Sequence, residues 1–153
     1  MSYTDLLCSE SVILDLKAQD FDEVLAILAD GLVRVSPELK DRRDEMLDAL
    51  KAREALGSTA SQGVAIPHVK MKGVQKVSIV VAVHREGVDF RALDGEPVHV
   101  FFSVIRPEET ADEHLGILRW IADIAQHQDF VSFSCQASTP EQILDLLVEL
   151  SPA

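Results

Sequence analysis

Residues 76–84 read KVSIVVAVH and form the clearest predicted strand of the 153-residue chain. Valine and isoleucine favour extended backbone because their branched Cβ atoms pack well on a pleated surface. The run is apolar at successive positions, so both faces of this strand are expected to be covered. Residues 98–105, VHVFFSVI, predict a second buried strand. A turn expected at residues 93–96, around Asp94-Gly95, indicates that some strands of the sheet are antiparallel.

Strand and helix patterns also precede this central pair. Residues 11–17, SVILDLK, alternate in polarity and predict a first strand. Asp20 is a suitable cap for an amphipathic helix that follows it. Ser36-Pro37-Glu38 then restarts a helix, with a capping serine, proline at the first helical position and an acid in the first turn. That second helix is expected to continue toward Arg53.

Two further helices are predicted after the central strands. Residues 110–113 have capping-box spacing before an apolar stripe, and Thr139-Pro140-Glu141 begins a last amphipathic helix. Residues 129–138 fit a strand, a short helix or a loop. Helices mixed with buried strands imply one α/β domain over residues 1–153, with helices on both faces of a single sheet.

Composition excludes several classes of function. The net charge of −12 argues against nucleic acid or an anionic membrane as a partner, because both would repel the chain. No apolar run is long enough to span a membrane, and the first residues lack a signal-peptide pattern, so a cytoplasmic protein is expected. Cys8 and Cys135 lack metal-ligand spacing and are expected to be reduced, with a disulfide between them as the alternative.

The richest cluster of chemical groups lies at residues 53–68, REALGSTASQGVAIPH. Each part has a use if His68 carries a phosphoryl group. The proline before His68 stiffens the backbone that delivers the ring. Ser58 and Thr59 offer hydroxyl donors beside glycines that permit close approach of an anion. Arg53 supplies a permanent cation whose forked donors match phosphate oxygens.

This run resembles the phosphohistidine signature of enzyme IIA of the fructose–mannitol type, a group that includes nitrogen-regulatory IIA proteins of the bacterial phosphotransferase system. The matching residues are Arg53-Glu54, Gly57-Ser58-Thr59 and Ala65-Ile66-Pro67-His68. Where that family usually has a Gly-Ile-Gly-like run, this chain has Ala60-Ser61-Gln62. Residues 107–115, PEETADEHL, resemble the second family signature, which is a proline, an acidic stretch and then His-Leu.

The resemblance implies a mixed sheet of about five strands and assigns roles to five side chains. His68 would accept a phosphoryl group from the phosphocarrier protein HPr or a paralogue, and Arg53, Ser58 and Thr59 would bind the phosphate. His114 would hydrogen-bond the phosphoryl group or orient His68 without being phosphorylated. The plain alternatives are a buried or loop histidine with satisfied hydrogen bonds at His68, an exposed first-turn histidine at His114 and a solvated Arg53.

Three functions remain open on the sequence. The first is a regulatory IIA protein that binds a kinase or transporter according to its phosphorylation state. The second is a sugar-transport IIA that passes phosphate to a IIB domain. The third is a degenerate IIA-like binding module. A free-standing chain without fused IIB or HPr favours regulation. No cofactor is implied, and no HExxH, CxxC or HxH spacing supports a metal enzyme.

Overall fold

A mixed five-stranded sheet forms the centre of the fold. The computed structural model describes residues 3–152. The strands are β1 (Val12–Ile13), β2 (Val64–Ala65), β3 (His68–Met71), β4 (Ser78–Val88) and β5 (Val98–Pro107). Their order is β1-β4-β5-β2, and β3 also pairs with β5. β4 and β5 are antiparallel, whereas the other pairs are parallel. The predicted mixed sheet is confirmed.

β2 and β3 follow each other along the same edge of β5. Val64 pairs with Val100 and His68 pairs with Val104, so β2 and β3 have the same register against β5. The two short strands are therefore two parts of a single edge strand that is interrupted at Ile66-Pro67. Proline has no N–H to give to the ladder, which is a physical reason for the break. His68 is the first residue after it, on an edge strand.

Helices cover both faces of the sheet, as the sequence predicts. They are α1 (Phe21–Val35), α2 (Arg43–Ala55), α3 (Leu115–Ala125), α4 (Phe130–Gln136) and α5 (Pro140–Leu150). α1 and α2 cover one face, and α3, α4 and α5 cover the other. None of the helices described between residues 3 and 152 has the length and apolar character needed to cross a membrane.

β5 supplies the aromatic centre of both cores. Phe101 and Phe102 are fully buried and point to opposite faces because successive side chains alternate along a strand. Phe101 contacts Phe90 edge-on in the core under α1 and α2, with ring centroids 5.0 Å apart. Phe102 stacks on Phe130 of α4 at 5.8 Å in the other core. The apolar runs at residues 76–84 and 98–105 are thus covered on both faces.

Several predicted helix caps and turns are confirmed. The Asp20 carboxylate accepts a hydrogen bond from the Glu23 N–H at 2.9 Å and caps α1. The Thr139 hydroxyl oxygen accepts one from Gln142 N–H at 3.3 Å and caps α5. The turn expected at residues 93–96 is present. Residues 129–138, which the sequence leaves open, contain the short helix α4.

Two predicted starts are wrong in detail. The first strand is only two residues long, since the chain turns away after β1. The Ser36 hydroxyl does not cap a helix but hydrogen-bonds the hydroxyl of Ser78 at the start of β4. Residues Pro37–Arg42 accordingly form a 3-10 helix, and α2 begins only at Arg43.

The capping box predicted at residues 110–113 is also absent. Thr110 makes no side-chain cap, and Ala111–His114 form a 3-10 turn before α3 begins at Leu115. The spacing of threonine and glutamate is correct for a cap, but the tighter turn does not present the backbone N–H groups in α-helical geometry.

We expect Phe102→Ala to lower the free energy of unfolding by about 3–5 kcal/mol, since a fully buried aromatic ring leaves a cavity between β5 and α4. Urea unfolding followed by circular dichroism measures this change. The matched control is Phe133→Ala in α4, where half of the ring is already exposed and the loss should be only about 1 kcal/mol. Equal losses for the two variants would contradict the assignment of Phe102 to the core.

Candidate functional site

An open cavity of about 470 Å³ lies between α2 and the edge strand β3. One face of α2 lines it, with residues spaced at one helical turn, and the sheet lines the other side. The lining residues are Ala49, Ala52 and Arg53 from α2 with Leu56 directly after it, His68, Val69 and Lys70 from β3, and Arg106 from β5. The small side chains of the two alanines leave the room beside the histidine. The structure thus brings Arg53 and His68 to the same cavity.

The orientation of the His68 ring is set by a hydrogen bond to its own backbone neighbourhood. Its Nδ1 atom lies 2.7 Å from the carbonyl oxygen of Ile66. A carbonyl oxygen only accepts, so Nδ1 carries the hydrogen. In the neutral ring, Nε2 then has an unprotonated lone pair. The ring is half-buried and lines the cavity.

Burial lowers the pKa of His68 below its ordinary value. The hydrogen bond to the Ile66 carbonyl acts in the opposite direction, and the positive charges of Arg53 and Arg106 lower the pKa further. The net result favours the neutral imidazole at pH 7. A neutral ring with a free lone pair on Nε2 is a nucleophile, which a protonated ring is not.

Three cations line the cavity around this ring. Arg53 is held at the end of α2, where its Nη1 donates to the carbonyl oxygen of Gly57 at 2.9 Å. Arg106 is only 6% exposed and pairs in register with Lys70, two positions beyond the pair of His68 with Val104. Side chains two residues apart lie on the same face of a strand, so Arg106 leaves β5 on the same face as His68.

Arg106 is the cavity residue that sequence reasoning missed. It directly follows the buried run at residues 98–105, where it reads as the end of a strand. Burial lowers the pKa of Arg106, and the carboxylate of Asp112 on the following turn opposes that shift. Its place beside His68 depends on the register of β3 against β5, which the sequence does not specify.

Ser58 and Thr59, predicted to bind phosphate, do not line the cavity. The Ser58 hydroxyl oxygen accepts from the Ala60 N–H at 3.0 Å. The Thr59 hydroxyl donates to Glu54 Oε1 at 2.5 Å, and its oxygen accepts from the Ile66 N–H at 3.1 Å. A phosphate contact by Thr59 would require its hydroxyl to leave Glu54. Phosphate binding by either residue stays a prediction.

The residues that depart from the family signature form a tight turn outside the cavity. Ser61 and Val64 exchange two backbone hydrogen bonds, of 2.9 and 3.1 Å. Between them Gln62 and Gly63 have φ values of 56° and 83°, as in the two-residue turns that connect strands. The Gln62 N–H also donates to the Asp94 carboxylate at 2.8 Å. The altered loop thus makes no contribution to the wall of the cavity.

His114 is the last residue of the 3-10 turn that follows β5. Its side chain is half-buried, and it is not among the residues that line the cavity at His68. The structure therefore brings Arg53 to the same cavity as His68 but leaves His114 outside that wall. The role of His114 in phosphoryl transfer stays a prediction.

Metal-ligating side chains do not converge in the described part of the chain. Among residues 3–152, no group of three or more His, Cys, Asp and Glu side chains is placed to hold a metal ion. Cys8 and Cys135 are both free thiols.

The fold and the cavity define an α/β domain with a neutral histidine among cations at the edge of its sheet. Comparison with protein families identifies the domain. The model of the phosphoenolpyruvate-dependent sugar phosphotransferase system EIIA 2 family matches residues 5–149, and the chain belongs to that family. It is accordingly a phosphotransfer component of that system, and the family predicted from the sequence is confirmed.

Relatives carry both regulatory and transport names. A nitrogen regulatory protein of Bradyrhizobium diazoefficiens is 32% identical over 155 residues, covering 100% of this chain and 98% of the relative. A fructose-specific EIIA component of Haloferax volcanii is 33% identical over 111 residues, which is 72% of each protein. The crystal structure of nitrogen regulatory protein IIA-Ntr from Neisseria meningitidis matches with a TM-score of 0.81 and 29% identity, covering 94% of this chain and 97% of that one.

We expect the neutral His68 ring to carry its proton on Nδ1 and to titrate below its ordinary pKa of about 6.5. Because the pKa is lowered on folding, the unfolded chain binds the proton first as pH falls. The stability due to this residue is therefore complete above the unfolded pKa and is lost as pH falls through the folded one.

Nitrogen-15 NMR titration of the ring measures both properties, with His68→Gln identifying its signals. Unfolding free energies of wild type and His68→Gln, measured across the same pH window, isolate the contribution to stability. A neutral ring protonated on Nε2, or a midpoint at or above the ordinary value, would contradict the described geometry.

Proposed function

We propose that His68 is phosphorylated on Nε2 and that the chain carries this phosphoryl group between proteins. The observation that supports this most directly is the hydrogen bond from Nδ1 to the Ile66 carbonyl. It leaves the lone pair on the second ring nitrogen, and His68 lines an open cavity together with Arg53, Lys70 and Arg106. These are the parts that phosphoryl transfer needs, since positioning and charge stabilisation provide most of its catalysis.

The transfer conserves the type of bond at phosphorus. The donor is the phosphohistidine of HPr or of a paralogue. Its N–P bond breaks and the electron pair returns to the donor nitrogen, while His68 Nε2 forms a new N–P bond. As Nε2 gives up its lone pair, positive charge develops on the ring, and the Nδ1–H bonded to Ile66 becomes a stronger donor. Exchange between two histidines therefore needs no nucleotide or metal cofactor.

The cations of the cavity hold the phosphoryl oxygens. Arg53 presents a guanidinium fixed at the end of α2, and the largely buried Arg106 presents a second one from β5. A guanidinium matches two oxygens of a phosphate at once, and its effect is larger in a partly buried site. His114 and Ser58 are proposed as secondary contacts that become available when the phosphoryl group or a partner is bound.

We favour a regulatory role in the cytoplasm, in which the state of His68 determines whether a kinase or transporter is bound. Support comes from the nitrogen regulatory relative that aligns over the full chain and from the IIA-Ntr structure. The alternative is a sugar-transport component that passes phosphate to a IIB domain. Support for it comes from the fructose-specific relative and from a mannitol IIA protein of Escherichia coli with a similar fold, determined in complex with phosphorylated enzyme IIB.

A binding module that no longer transfers phosphate is the third alternative. It was suggested by the altered Ala60-Ser61-Gln62 loop. That loop lies outside the wall of the cavity, and His68 retains both its backbone hydrogen bond and its neighbouring cations. These observations favour a carrier over a binding module.

Incubation with phosphoenolpyruvate, enzyme I and HPr tests the carrier function. The intact mass of wild type should increase by one acid-labile phosphoryl group, whereas His68→Gln should gain none because it lacks the nucleophile. His114→Ala should still accept phosphate but should transfer it more slowly. A wild-type protein that gains no phosphate would support the binding module instead.

Fast transfer onward to a purified fructose- or mannitol-type IIB domain would favour transport over regulation.

We expect Arg53→Gln and Arg106→Gln each to slow phosphoryl acceptance by roughly a hundredfold, the usual effect of removing one charge-stabilising donor from a transfer site. Rapid-quench kinetics with phosphorylated HPr measures the rates. Arg34→Gln is the matched control, since this exposed arginine of α1 lies outside the cavity and its loss should leave the rate within about twofold. An Arg106→Gln rate equal to that of the control would remove Arg106 from the site.

A further inference from the structure

Glu54 is a buried acid that the transfer chemistry does not use. It lies in the last turn of α2, and only 7% of its surface is exposed. A carboxylate is disfavoured there twice, by burial and by the carbonyl groups at the C-terminal end of a helix. Within residues 3–152, no lysine or arginine is recorded in an ion pair with it. Such a group needs a compensating set of hydrogen bonds.

Thr59 supplies those hydrogen bonds. Its hydroxyl donates to Glu54 Oε1 at 2.5 Å, and its backbone N–H donates to Oε2 at 3.2 Å. The hydroxyl has one hydrogen, which it donates in the hydrogen bond to Glu54. Its oxygen can therefore only accept further hydrogen bonds, through its lone pairs. One of them accepts the N–H of Ile66 at 3.1 Å. The carboxylate thus fixes both the position and the polarity of the threonine hydroxyl.

The backbone N–H and carbonyl of Ile66 lie on the free edge of the sheet. The carbonyls of Gly63 and Pro67 accept from Val100 and Val104 of β5, and backbone groups alternate in direction along a strand, so those of Ile66 point away from β5. The N–H of Ile66 therefore has no partner in the ladder and depends on Thr59. The carbonyl of the same residue accepts from His68 Nδ1 at 2.7 Å. Only Pro67, with its fixed φ, separates the two residues, so displacement of Ile66 displaces the acceptor that orients the ring.

We infer that Glu54 and Thr59 are positioning residues, which hold the Ile66 carbonyl where it keeps the His68 proton on Nδ1 and leaves the lone pair on Nε2. The inference rests on the proposed phosphorylation of His68. It assigns Thr59 a role different from the direct phosphate contact predicted from the sequence. It also explains the buried acid, because hydrogen bonds in series polarise one another and a charged terminal acceptor strengthens the series.

The test compares threonine variants that differ in one property at a time. Thr59→Val keeps the shape but removes both hydrogen bonds of the hydroxyl, and Thr59→Ser keeps them. Thr139→Val is the matched control, since it removes the same kind of bond, from a backbone N–H to a threonine oxygen, at the start of α5. Glu54→Gln removes the charge and can be studied if Thr59→Val fails to fold.

Two readouts separate positioning from a general loss of structure. Nitrogen-15 NMR reports the tautomer of His68 without any phosphoryl donor, and rapid-quench kinetics with phosphorylated HPr reports the rate of acceptance. Thr59→Val and Glu54→Gln should shift the neutral His68 ring toward the Nε2–H form and slow acceptance by about tenfold to a hundredfold, as misplacement of a reacting group does. Thr59→Ser and Thr139→Val should keep the wild-type tautomer and rate within about twofold.

The inference fails if Thr59→Val, or Glu54→Gln in its place, retains the Nδ1–H tautomer and the rate of Thr139→Val. The proposed function fails separately, if wild type accepts no phosphate at all. In that case the tautomer measurement still shows whether Glu54 and Thr59 orient the ring.

Discussion

The hydrogen bond between the His68 ring and the carbonyl of Ile66 is the interaction on which the site depends. It decides which ring nitrogen holds the proton and therefore which one has a lone pair to give. Burial and two arginine charges then favour the neutral ring. The Ile66 carbonyl is available for this bond because it lies on the free edge of the sheet. The carbonyls of Gly63 and Pro67 on either side accept from β5, and backbone groups alternate in direction along a strand, so that of Ile66 points away from β5.

The free edge at Ile66 has a cost that the rest of the molecule compensates. A backbone N–H left without a partner in a partly buried loop is unfavourable, and Thr59 satisfies it with the help of a buried carboxylate. The Pro67 carbonyl meanwhile accepts from Val104 N–H at 3.0 Å and rejoins the chain to β5. The backbone on both sides of the break is therefore hydrogen-bonded, although the segment is irregular. A well-anchored connection beside an open cavity is suited to positioning a reactive side chain.

Membership of the EIIA 2 family and the described cavity both favour phosphoryl transfer. Whether that transfer serves transport or regulation depends on the partner protein. The same carrier site serves a transport chain or a signal, because both need only a reversible change at one histidine. The buried arginine on β5 bears on this question. If His68 carries the phosphoryl group as proposed, a second guanidinium in the same cavity stabilises the phosphorylated state as well as the transfer, which suits a protein whose state is read by others.

The sequence by itself determined the α/β class, the two central strands, the caps at Asp20 and Thr139 and the cluster of residues 53–68, because these depend on local periodicity and on residue chemistry. Tertiary structure decided the rest. Arg106 joins His68 only through the register of β3 on β5, and register is not a local property. The Thr59 hydroxyl hydrogen-bonds the buried Glu54 carboxylate and the Ile66 N–H, and Thr59 is not among the residues that line the cavity. Ala111–His114 form a 3-10 turn between β5 and α3, so the capping box predicted at residues 110–113 is not formed.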